Sequence, residues 1–65
     1  MDAQSQQKVV KAGFKIIRKD DQPNIRIKFK SEDNFEWQTL EKFSTKKERD
    51  ARFNNLLELN YVISD

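Results

Sequence analysis

In the run NIRIKFK, Arg26, Lys28 and Lys30 alternate with Ile25, Ile27 and Phe29. A strand through these residues turns the cations to one side and the apolar side chains to the other. Cations spaced in this way suit anionic oxygens, above all phosphates, through charge-assisted hydrogen bonds. The carboxylates offer less. Asp20–Asp21 and Glu32–Asp33 fall in turn-like stretches, and neighbouring carboxylates in a solvated turn are poor acid–base catalysts because nothing there moves their pKa. Two such turns brought together would bind a hard cation weakly. The chain has no Cys and no His, which excludes disulfides, thiol nucleophiles, Cys/His zinc sites and histidine acid–base work. With a single glycine there is no glycine-rich phosphate loop. No catalytic, metal or cofactor-binding residue is therefore expected, and 65 residues leave little room for a dry pocket.

The elements that position the cations can be read in outline. MDAQSQQKVVK, residues 1–11, is polar and weakly patterned; Asp2 would cap a short helix and Gly13 would end it, but a largely flexible start is the preferred reading. Residues 12–65 then form a single small α+β domain. GFKIIRK reads as a strand, DDQP as a turn, NIRIKFK as a second strand, SEDN as a second turn and FEWQTLEKF as a third strand. Thr45 and Glu48 form a capping box ahead of a helix. One face of that helix collects Phe53, Leu56, Leu57 and the stem of Arg49, and Asn60 would end it in the left-handed conformation. YVIS follows as a short fourth strand or a tail against the sheet edge. The expected fold is a three-stranded antiparallel sheet followed by one C-terminal helix packed on one face, the other face open. The candidate core comprises Phe14, Ile16, Ile25, Ile27, Phe29, Phe35, Trp37, Phe43, Phe53, Leu56, Leu57, Tyr61, Val62 and Ile63.

Register follows from loop length, since a slip of one residue exchanges the faces. A loop at Asp20–Pro23 pairs Phe14 with Phe29 and Ile16 with Ile27 on the core side, and Lys15 with Lys28 on the other. A loop at Glu32–Asn34 sets Phe29 opposite Trp37, and a five-residue loop, which keeps the same parity, would pair Phe29 with Phe35 instead. The open face then displays Lys15, Ile17, Lys19, Arg26, Lys28, Lys30, Glu36, Gln38, Leu40 and Lys42. A bulge before Phe43 would instead turn Leu40 inward. Lys15 opposite Lys28 is unfavourable by itself, and an anion across the face would relieve it. The contact residues expected for such a partner are Lys15, Lys19, Arg26, Lys28, Lys30 and Gln38. Charge is unevenly spread: residues 1–30 carry eight Lys/Arg against three Asp/Glu, and residues 31–65 five against eight. This is compatible with an anionic partner on one half and also with a solvated face that discourages edge-to-edge aggregation.

A three-stranded sheet running through an aromatic strand into FST and a capped helix resembles the plant AP2-type and integrase-arm DNA-binding domains over about Gly13 to Leu57. That resemblance implies a sheet face lying in the major groove, a role that falls on Lys15, Arg26, Lys28 and Gln38. The chain departs from the plant domains in lacking their Arg- and Trp-dense first strands. The phrases AGFKIIRKDD, IRIK and KKERDARFNNLL also resemble a group of small bacterial single-domain proteins, a likeness that implies no activity.

Two functional expectations result. One is a small non-enzymatic interaction module that binds another protein or a second copy of itself. The alternative is nucleic-acid binding through the basic sheet face. No apolar run at the N-terminus suggests a signal peptide and no segment suggests a membrane span, so the expected location is cytoplasmic.

Overall fold

The computed structural model describes residues 1–65, the side chains of Asn34 and Phe35 excepted. The elements are α1 (Ala3–Lys11), β1 (Lys15–Asp20), β2 (Arg26–Ser31), β3 (Asn34–Lys42), α2 (Lys46–Leu56) and β4 (Val62–Ser64). The fold is α+β, but a helix precedes the strands and the sheet is mixed. Its order is β3-β2-β1-β4. β1 and β2 pair antiparallel, as do β2 and β3, while β4 pairs parallel with β1. α2 is a crossover from β3 at one sheet edge to β4 at the other, and it returns the chain to the end from which β3 started. β4 therefore arrives running in the same direction as β1.

Residues 3–11, expected to be a flexible start, form α1. Asp2 caps it by accepting from the Ser5 backbone N–H at 2.8 Å. Its end is a Schellman motif: the Gly13 N–H donates to the Val10 carbonyl at 3.1 Å and the Phe14 N–H to the Val9 carbonyl at 3.3 Å. Gly13 takes φ 102° there, a conformation that a Cβ would disfavour.

The β1–β2 register differs from the expected one by three residues, because the loop is one residue longer and centred further along the chain. Ile17 pairs with Phe29, Lys19 with Ile27, Arg18 with Lys28, and Asp20 with Arg26. Asp20 belongs to the strand rather than the turn, and the connecting loop is 21–25. An odd shift of this kind reverses the faces of β1 relative to β2. The second turn is tighter than expected, with Ser31 opposite Asn34, Phe29 opposite Gln38 and Lys28 opposite Thr39. The register shifts again between Ile27 and Lys28. This leaves Leu40 as an extra residue on β3, and it packs into the core, as a bulge permits.

Two cores result, one on each face. On the α2 side Ile17, Ile27, Phe53 and Val62 are buried, with Phe29, Leu40, Phe43 and Leu56 packed against them. On the other side α1 lies over Ile16, contributing Val10 and Gln6. The face expected to be open is therefore partly covered. α2 starts at the expected cap, the Thr45 hydroxyl accepting from the Glu48 N–H at 3.2 Å. It ends early, at Leu57 in ordinary helical geometry (φ −69°, ψ −13°) rather than at Asn60. Hydrogen bonds from Glu58 to Asn55 and from Leu59 to Leu56 tighten the last turn and swing the chain toward β4.

Candidate functional site

The register decides which charges share a surface. Arg26, Lys28 and Lys30 do lie together, on the face that also carries α1, and Arg18, Asp20, Trp37 and Thr39 join them. Lys15, Lys19 and Gln38 do not; pairing with Val62, Ile27 and Phe29 places them on the α2 side. There the Lys15 ammonium sits 5.1 Å from the Phe29 ring centre and Lys19 5.0 Å from that of Phe53. Lys19 also pairs with Asp50 at 3.4 Å. Their stems cover the edge of the core.

Arg26 is the hub of the basic face. Its Nε and Nη2 donate to Asp20 Oδ2 at 3.1 and 2.8 Å, and its Nη1 donates to Thr39 Oγ1 at 2.8 Å. A further bond runs from Nη2 to the Gln22 carbonyl at 3.4 Å. One guanidinium thus ties β1, the 21–25 loop and β3 to β2, and all three of its nitrogens are engaged. Its hydrogen bonds hold the Asp20 carboxyl down at about 2, helped by the Gln22 N–H and by Lys28 at 3.4 Å. This carboxylate is shifted, contrary to the expectation for a solvated turn, but away from any proton-transfer role at neutral pH.

Trp37 lies at the centre of the remaining cations. The Arg18 guanidinium is 4.4 Å from its ring centre, the Lys30 ammonium 5.1 Å and the Lys28 ammonium 5.9 Å, all within the range of a cation–π contact. Arg18 also pairs with the Asp65 carboxylate, which Gln6 Nε2 reaches at 3.1 Å and the amino group of Met1 at 3.2 Å. Burial pushes the Asp65 carboxyl up, but these donors, Arg18 first, outweigh it and leave it below the usual carboxylate range. Lys30 donates to Gln6 Oε1 at 2.8 Å. Beside it is a small cavity of about 110 Å³ lined by Ala3, Gln6, Gln7, Val10 and Lys30, of the order of a few waters.

A second cation cluster has a structural role. The Arg49 side chain is 6% exposed and pairs with Asp21 and, at 3.1 Å, with Asp50, while its Nη1 donates to the Asp20 carbonyl at 3.1 Å. It joins the first turn of α2 to the β1–β2 loop and draws the pKa of both carboxyls down. Among the described residues no group of three or more metal-type side chains comes together. No helix among them is long and apolar enough to cross a membrane.

Sequence reasoning placed several large apolar residues inside that are in fact exposed. Phe14, Leu57 and Tyr61 were candidate core residues and are 38%, 36% and 48% exposed; Leu59 is 40% exposed. Leu57, Leu59 and Tyr61 lie in the link from α2 to β4, and Phe14 lies in the link from α1 to β1. The two links meet at one end of the sheet, where the Lys15 N–H donates to the Tyr61 carbonyl at 2.8 Å. Trp37, likewise a core candidate, belongs to the basic face, where Arg18 joins it. The available signal was the Asp20/Arg26 pair, opposite charges placed to face each other across a longer loop.

Comparison with protein families, curated proteins and solved structures returns no match.

Proposed function

We propose that this chain is a small non-enzymatic interaction module and that its apolar sheet end is where it meets another protein. The observation that carries the reading is the convergence of Phe14, Leu57, Leu59 and Tyr61, all more than a third exposed, on two hydrogen-bonded links. Isolated exposed apolar residues are ordinary. Several at one end of so small a domain are what an interface core requires. The surroundings favour a foreign partner over a second copy. Lys8 and Lys11 occupy the last turn of α1, just before Phe14, and Lys15 follows it, so self-pairing through this end would set lysines against lysines. A partner that presents apolar residues within an acidic rim complements it.

The test is a peptide-display selection against the immobilised full chain, followed by NMR titration of the labelled protein with the enriched peptide. Enriched peptides should combine apolar residues with Asp or Glu. Their shift changes should centre on Phe14, Leu57, Leu59 and Tyr61 and vanish in the Phe14→Ser, Tyr61→Ser variant. Perturbations centred elsewhere would refute the assignment. So would light scattering that shows a concentration-dependent dimer with this end protected, which would identify the partner as a second copy.

A further inference from the structure

The basic face is a separate surface with a different chemistry. We infer that the strip around Trp37 binds single-stranded nucleic acid, one base stacking on the indole while Arg18, Lys28 and Lys30 take the neighbouring phosphates. Three cations stand within 6 Å of one half-buried indole. Aromatic surface among backbone-tracking cations is the combination that recognises unpaired bases without regard to sequence. Arg26 takes no part, since all three of its nitrogens are committed to Asp20, Thr39 and Gln22; Arg18, Lys28 and Lys30 also have partners, in Asp65, Asp20 and Gln6, and a phosphate must compete with these. By engaging Asp20, Arg26 also lowers the claim of that carboxylate on Lys28, which it shares at 3.4 Å.

The geometry selects a single strand over a duplex. The strip spans three strands, roughly 10 Å at the usual strand spacing. α1 stands on the same face, bonded to it through Gln6 and Lys30, and a helix is about 10 Å across. A sheet that reads a major groove about 12 Å wide must sink into it, and α1 beside the strip obstructs that approach. A single strand can lie along the strip with α1 as one wall. Asp20 and Asp65 border it and repel phosphates, so binding is weak and sensitive to salt.

Trp37 is the only tryptophan in the sequence, so its fluorescence reports directly. The full chain is titrated with a single-stranded oligonucleotide, an abasic strand of equal length, and the matching duplex, at several salt concentrations. The single strand should quench Trp37 and bind about tenfold tighter than the abasic strand, the effect of one stacked base. The log–log salt slope should be about −2, from three cations at roughly 0.7 each. Arg18→Gln and Lys30→Gln should each make that slope shallower by about 0.7. Trp37→Leu, followed by anisotropy of a labelled strand, should erase the difference between base-bearing and abasic strands. Three outcomes overturn the inference using wild-type protein alone: equal affinity for the abasic strand, tighter binding of the duplex, or no binding at low salt. Phe14→Ser leaves this binding unchanged, which separates the two surfaces.

Discussion

Ile16 and Ile17 are consecutive on β1, and both are 0% exposed. Neighbouring strand residues point to opposite faces, so both can be buried only if each face is covered, Ile16 by α1 and Ile17 by α2. Burying an isoleucine side chain is worth about 1.5–3 kcal/mol, and the cavity left by truncation raises the cost of Ile→Ala to about 2–5 kcal/mol. In a two-layer domain one of the pair would sit on an open sheet face, where truncation costs about 0.5 kcal/mol or less. A domain of this size is stable by roughly 3–10 kcal/mol, so either variant removes a large share. The assay is urea unfolding of Ile16→Ala and Ile17→Ala, followed by Trp37 fluorescence and far-UV circular dichroism. With a slope of about 1 kcal/mol/M, each midpoint should fall by about 2 M or more, or the variant should be unfolded in buffer. A near-wild-type midpoint for Ile16→Ala would mean that α1 does not seal its face. The same result for Ile17→Ala would mean that the β1–β2 register is wrong by one residue.

Asp20, Asp21, Asp50 and Asp65 all have carboxyls held below 3.8, Asp20 near 2. Depressed folded values contribute stability above the unfolded pKa that is lost as pH falls through the folded ones. The urea midpoint should therefore hold from pH 6 to about 5 and drop between about pH 4 and 2; equal or greater stability at pH 3 would contradict these ion pairs. Arg26→Gln should move the Asp20 titration from about 2 back toward 3.8, read by carboxyl-carbon NMR, and a titration that stays near 2 would show that Arg26 is not its main partner. Thr45→Ala removes the acceptor for the Glu48 N–H and should cost about 1 kcal/mol, with Thr45→Ser largely restoring it; an unchanged midpoint would mean that the cap is not formed in solution.

Local chemistry was the legible part. Three strands, the Thr45 cap, the place of the Arg49 stem on the apolar helix face and the inward turn of Phe53 all follow from short-range pattern. The Asp2 cap and the Gly13 stop were visible as well, yet the polar stretch between them looked too weak to commit to a helix. The buried positions of α1, Gln6 and Val10, are few, and one is polar. Gln6 is acceptable inside because Lys30, Asp65 and the Met1 carbonyl meet its amide. Lys30 and Asp65 lie far away in sequence, so no window around residue 6 reveals them. The site suffered from the same non-locality. Arg26, Lys28 and Lys30 share a face by strand alternation alone, but their neighbours across the sheet depend on loop length. One residue in the β1–β2 loop exchanged Lys15 and Lys19 for Arg18, and the tighter β2–β3 turn brought Trp37 across.

The sequence by itself determined that the chain forms an α+β domain, that Ile27 and Phe29 face away from Arg26 and Lys28, and that no Cys or His chemistry is available. These follow from composition and from the period of each strand, which a residue and its nearest neighbours settle. Only the tertiary structure decided that α1 partly covers the second sheet face, that β4 runs parallel to β1, and that Trp37 stands among cations while Phe14, Leu57 and Tyr61 are left exposed. Each of these depends on register and on which helix reaches which face. A single residue of loop inverts that choice, because strand side chains alternate with period two.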